Sequence, residues 1–199
     1  MTASTPLYGF PYETLNDAPD GPNLGEDLAT AVETKIASLD AADVALDARL
    51  DLLEASKPYA HLLRTTTQSI ANDVTTEVIL WNGEVSDSAS AHDTVTNSDR
   101  YTIPKDGTYE SSGGVGFTSN STGRRGCWLT KNGTIVDGSG AMVHTSSAGP
   151  TIVTARTVTI PCVAGDILRF VAYQQSGGAL TTSATTFEQP SWEIRYLHA

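Results

Sequence analysis

Between residues 26 and 56 apolar side chains recur at alternating spacings of three and four. Ala29, Val32, Ile36, Leu39, Leu46, Leu50 and Leu53 fall on the a and d positions of a heptad, with Asp43 at the one a position that is polar. A lone helix has nothing of its own to cover such a row, so the spacing predicts a coiled coil. The charges select its orientation. Lys35 and Arg49, the only basic residues in the segment, take g positions, while Glu33, Asp40, Asp47 and Glu54 take e positions. In a parallel assembly Lys35 then meets Asp40 of a neighbouring helix and Arg49 meets Glu54. A parallel stalk over residues 26–57 is a way to build a fibre, and it is not a way to build a soluble monomeric enzyme.

Asn23 and Glu26 have the spacing of a capping box, which predicts a helix start near Leu24, and Pro58 predicts its end. Asp43 would place one carboxylate per chain in a single layer of the stalk. Such a layer should bind a cation, share protons or loosen the coil; alternatively Ala42 and Val44 shift the register and Asp43 reaches water.

Residues 1–25 contain Pro6, Pro11, Pro19 and Pro22, with Tyr8, Phe10 and Tyr12 alternating around the second of them. Prolines fix φ and remove donors, so this segment reads as an extended arm. Two readings stay open: a disordered tail, or an anchor whose aromatic side chains Tyr8, Phe10 and Tyr12 fill pockets on another protein.

The acidic excess is concentrated in the arm and stalk: residues 1–58 carry eleven Asp and Glu against three Lys and Arg, and residues 59–199 carry twelve against nine. A net charge of −11 argues against nucleic-acid binding and against anionic lipid surfaces. Met1 to Pro11 has neither a basic nor an apolar leader region, and no stretch has the length of a membrane span, so neither secretion nor membrane insertion is expected. Cys127 and Cys162 lie in strand-like surroundings without metal-ligand spacing and are expected as buried free thiols.

From Tyr59 the pattern changes to short β-type runs. Thr76 to Trp81 precedes Asn82-Gly83, Arg100 to Ile103 precedes Lys105-Asp106-Gly107, and Gly126 to Lys131 precedes Asn132-Gly133, all dipeptides that favour tight hairpins. Thr157 to Cys162, Ile167 to Gln174 and Ser191 to Leu197 complete the series, with Val158, Ile160 and Cys162 on one face and Trp192, Ile194 and Tyr196 on one face. Residues 58–199 are expected to form an all-β sandwich or barrel.

The landmarks Gly107-Thr108-Tyr109, Trp128-Leu129-Thr130-Lys131-Asn132-Gly133, Val163-Ala164-Gly165-Asp166 and the closing run from Thr186-Phe187 to Ile194 occur in an order that resembles the C1q/TNF-like jelly roll. The resemblance implies a mainly β fold and a homotrimer. The arm, Thr5 to Tyr12 followed by Asp17 to Pro22, is similar to N-termini of tail and minor structural proteins of phages that infect actinobacteria. Together these imply a virion fibre, assembled in the host cytoplasm. Its arm would dock on another phage structural protein of the capsid or tail, and its C1q-like head would attach to a host-surface glycan or protein or decorate the capsid. The competing class is a non-viral bacterial trimeric C1q-like adhesion module.

Chemistry beyond binding is not expected. His61, His92, His144 and His198 are dispersed, no metal-binding or nucleophile-elbow motif is present, and no cofactor is implied. Gly113, Gly114 and Gly116 do not match a phosphate-binding loop and read as sites of close backbone approach, with the threefold axis one place for it. Recognition is expected in the loops Ser119 to Arg125, Ser139 to Gly149 and Ser176 to Thr186. Arg124 and Arg125 are candidates to hold anionic or sugar groups, or to form salt bridges between subunits.

Overall fold

The computed structural model describes residues 3–4, 11–12, 21–55, 57–145 and 149–199, with side chains from residue 25 to 50 and in the two later segments. The chain divides into two compact units, Met1–Glu54 and Ala55–Ala199.

In the first unit, helix α1 (Gly21–Ala55) runs for 35 residues, a length of about 50 Å. It begins earlier than the capping-box spacing suggested. Pro22 falls in the first turn, where its missing N–H breaks no helical bond, and Asn23 is therefore inside the helix rather than capping it. The helix ends before Pro58, as expected. Its apolar row faces solvent: Val32 is 39% exposed, Ile36 53%, Leu39 67%, Leu46 60% and Leu50 55%. Asp43 is exposed in the same row, and the side chain of Leu53 lies outside the described residues. In the arm, β1 (Ala3–Ser4) pairs antiparallel with β2 (Pro11–Tyr12). Tyr8, Phe10 and the side chain of Tyr12 lie outside the described residues.

The second unit is built of β3 (Tyr59–Leu63), β4 (Ser69–Ile70), β5 (Gly83–Asp87), β6 (Tyr101–Thr102), β7 (Gly107–Phe117) and β8 (Arg124–Lys131). It continues through β9 (Thr134–Ile135), β10 (Ala141–His144), β11 (Thr151–Cys162), β12 (Ile167–Gln174), β13 (Leu180–Thr181) and β14 (Ser191–His198). One sheet has the order β11-β7-β14-β3-β5. The other has the order β10-β8-β12-β6, with β9 paired to β8, and β13 pairs with β4 beside them. Alternation puts Val153, Ala155, Ile160, Trp192 and Ile194 of the first sheet against Cys127, Leu129, Leu168 and Phe170 of the second, and all are buried. At the centre Trp81 meets Trp192 at 5.6 Å and Phe170 at 6.0 Å. Trp192 satisfies its indole by donating to Ser111 Oγ at 2.7 Å. Both cysteines are free and buried, and burial pushes the Cys127 thiol up to about 12 and the Cys162 thiol up to about 11.

Several expectations are corrected here. Lys105-Asp106-Gly107 closes no hairpin, because the strands it joins, β6 and β7, lie in different sheets. Thr76 to Trp81 is not a ladder strand: it lies beside β12 with separated bonds from Ile79 N–H to Phe170 O and from Ala172 N–H to Glu77 O. Asn82-Gly83 forms no tight hairpin, because the Asn82 Oδ1 instead accepts the Thr65 N–H at 2.8 Å. In addition, the Ser139 to Gly149 loop contains strand β10, with Ala141 paired to Cys127 and His144 to Arg124; residues 146–148 lie outside the described residues.

The triple-glycine run makes the close backbone approach that its composition suggested, and the approach is to the chain's own backbone. A Cβ on Gly113 would lie 2.6 Å from the carbonyl of Ser191, and one on Gly116 would overlap the carbonyl of Glu188.

Candidate functional site

All three expected recognition loops meet at one end of the sandwich: Thr145 donates its N–H and hydroxyl to Gly123 O, and buried polar side chains hold the other two loops together. Gln174 is fully buried at the end of β12. Its amide donates to Ile70 O and Gly178 O, and its Oε1 accepts from the backbone and hydroxyl of Ser176. Gly177 donates to Asn72 Oδ1, and Gln175 donates to Arg124 O. A Cβ on Gly123 would strike the carbonyl of Gln175, so the 119–124 loop is pressed against the 175–178 loop.

The two arginines at this end have different environments. Arg125 is 0% exposed. Its guanidinium donates to Thr122 O and Arg124 O at 2.9 Å and to Asn120 O at 3.2 Å, closing the loop that precedes β8. Burial lowers its pKa from the ordinary value. A side chain spent on three backbone carbonyls has no face for a ligand, so the expected pair reduces to Arg124, which is exposed on β8 opposite His144. Nearby, Tyr173 donates its hydroxyl to Asp73 Oδ1, a bond that raises the phenol's pKa, with burial adding to it. Asp73 holds a left-handed φ of 60°.

The outward face of the β10-β8-β12-β6 sheet carries a feature that sequence reasoning missed. Trp128 and Tyr173 lie 6.0 Å apart and pack with Val171 and Val78 outside the main core. Beside Trp128 is a hollow of about 440 Å³, lined by Thr75, Thr76, Thr130, Ile135, Arg169 and Val171 among others. Arg169 is oriented by its Nε bond to Asp99 Oδ2 at 2.8 Å, and Asp99 also accepts from Arg100 at 2.7 Å. Burial pushes the Asp99 carboxyl up, and the two arginines more than reverse that, leaving it below its ordinary value. The sequence does hold a signal for this face: Cys127 and Leu129 occupy the inward side of β8, so period-two alternation turns Trp128 outward.

His92 is buried, with its Nδ1 2.7 Å from Glu84 Oε1. Among the described residues, no group of three or more His, Cys, Asp or Glu side chains could hold a metal ion.

No protein-family model matches the sequence, and no curated protein matches it. Solved structures do. The chain is similar to the globular domain of zebrafish complement 1qA protein, with 12% identity over 70% of this chain and 96% of that chain and a TM-score of 0.51. It is also similar to murine APRIL, with 12% identity over 71% of this chain and all of that chain, 100%, and a TM-score of 0.54. With two antiparallel sheets of matching architecture, the head of this chain is a C1q/TNF-like jelly roll.

Proposed function

We propose that the chain is a homotrimeric fibre protein of an actinobacteriophage virion: an arm that anchors to another virion protein, a parallel coiled-coil stalk, and a head that attaches to the host surface or decorates the capsid. The observation that carries this reading is the exposed row Val32, Ile36, Leu39, Leu46 and Leu50 along α1. Apolar side chains repeated at heptad spacing on one helix need partner helices to cover them. The g and e charges select parallel partners, and the C1q/TNF-like head supports three of them. The action is mechanical: three heads on one stalk raise effective concentration at a repetitive surface, so weak contacts add up to firm attachment. No enzymatic step enters this reading.

The experiment is the absolute mass of the full-length chain in solution by light scattering after size exclusion. Three times the 21.0 kDa chain mass is expected. A monomer at micromolar concentration overturns the fibre reading.

A further inference from the structure

We infer that the hollow beside Trp128 binds a pyranose ring of a neutral cell-surface glycan, an inference that deepens the host-attachment reading and rests on it. A second hollow of about 370 Å³ shares Thr75, Trp128 and Ile135 with the first and reaches Gly140. Together they offer far more room than an ordered water, which takes about 30 Å³.

The lining selects the chemical class. Ile135, 58% exposed, and the 8% of Trp128 left uncovered present apolar surface beside the hydroxyls of Thr75, Thr76 and Thr130 and the Arg169 guanidinium. Thr130 lines the hollow and is only 7% exposed. An aliphatic ligand would take the hydroxyls of Thr75, Thr76 and Thr130 out of water with nothing to bond, at a desolvation cost. A strongly anionic ligand meets an Arg169 already paired with Asp99, on a chain of net charge −11. A sugar ring presents both surfaces at once: C–H groups for the indole and hydroxyls for the threonines and the arginine.

Gly140 is the second observation. It lies in no left-handed conformation, and a Cβ there would meet only Trp128 Cβ, at an ordinary 3.8 Å. Neither backbone geometry nor packing requires glycine at this position, and a side chain there would narrow the hollow that it lines with Trp128.

The test uses the full-length protein and the indole N–H signals of its three tryptophans. Trp81 and Trp192 are fully buried, so a ligand in the hollow shifts the Trp128 signal and leaves theirs in place. The probes are cellotriose and chitotriose, with inorganic phosphate and decanoate as controls. A saturating shift of Trp128 by a trisaccharide, with a Kd on the order of 1 mM, is expected. Gly140→Val should keep the wild-type mass and melting temperature and weaken that binding by about tenfold or more. No shift with either sugar, an equal shift with phosphate or decanoate, or undiminished sugar binding by Gly140→Val overturns the inference. Adhesion to actinobacterial cells separates it from the broader reading. Adhesion that Gly140→Val leaves unchanged removes the glycan hollow and keeps host attachment, whereas sugar binding without adhesion keeps the hollow and removes host attachment.

Discussion

The side-chain amide of Asn132 donates to Asp166 Oδ1 at 2.7 Å, joining the turn after β8 to the turn before β12. Asn132 Oδ1 accepts the Ile167 N–H at 2.9 Å, and Asp166 Oδ2 accepts the Val163 N–H at 2.9 Å. Asp106, in the turn before β7, accepts the Ala164 N–H at 2.7 Å. The Lys105-Asp106-Gly107, Lys131-Asn132-Gly133 and Gly165-Asp166 motifs are thus parts of one hydrogen-bonded knot. Asn132 also holds a φ of 51° and Gly133 one of 82°, the left-handed pair that a two-residue hairpin needs. Asn132→Ala loses both bonds and forces alanine into that conformation, for an expected cost of about 2–4 kcal/mol. Asn132→Gly keeps the conformation and should cost less, and the difference in thermal unfolding between the two variants separates the bonds from the strain.

Acid should loosen the same knot. Asp166 is held below its ordinary value of 3.8, chiefly by the Val163 N–H and next by the Asn132 amide. Asp93 is lowered to about 2 by the N–H groups of Thr96 and Val95. A folded-state value below the unfolded one means stability that is fully present above the unfolded value and is lost as pH falls through the folded value. The melting temperature should therefore be level above about pH 5 and fall steadily below about pH 4. Asp166→Asn should melt lower than wild type at neutral pH and show a shallower acid slope; an unchanged slope refutes the assignment to Asp166.

Where side-chain alternation and turn chemistry agreed, the sequence was legible to the residue: Ile167 to Gln174 is β12 as read, and Asn132-Gly133 closes a hairpin. Thr76 to Trp81 failed in an instructive way. Ile79 and Trp81 are buried at 0%, yet the run makes only scattered bonds to β12. The pattern of apolar residues reports burial, and ladder formation depends on a partner that the local sequence does not name. Strands β5 and β10 were missed for the complementary reason: their ladders carry little apolar alternation, with Glu84, Val85, Met142 and Val143 all exposed. Nothing in the sequence around Arg125 announces its burial, and only the fold reveals the three carbonyls that it serves.

Arg125 and its neighbour should respond unequally to substitution. Arg125→Met strands the carbonyls of Asn120, Thr122 and Arg124 and should cost about 2–4 kcal/mol. Arg124→Ala, at an exposed position, should stay within about 0.5 kcal/mol. Chemical denaturation of both variants checks this, and equal effects would refute the division of roles.

Asp43 bears on the stalk. In a parallel trimer three copies would share one core layer, where carboxylates repel and must be hydrated, so the residue is expected to specify register at a cost in stability. Asp43→Ile should raise the melting temperature of the assembled stalk, by about 1–4 kcal/mol in free energy. A lower melting temperature with the trimer mass intact sinks the register hypothesis.

The arm gives the sharpest distinction between a virion component and a free adhesion module. Its aromatic side chains Tyr8, Phe10 and Tyr12 precede the helix, and the heptad row from Val32 to Leu53 does not include them. Assembly and anchoring should therefore separate. Removing residues 1–25 is expected to leave a trimer whose head melts at the wild-type temperature, because among the described residues the core around Trp81 and Trp192 is built from Ala60 onward. The same truncation should abolish incorporation into particles, and Tyr8→Ala together with Phe10→Ala should reduce it strongly, since large aromatic side chains carry most of the energy of small interfaces. Quantifying the chain in purified particles from cells complemented with each variant measures this directly. Incorporation at the wild-type level refutes the anchor role and favours the free module, whereas loss of the trimer itself would mean that the arm belongs to the stalk's assembly.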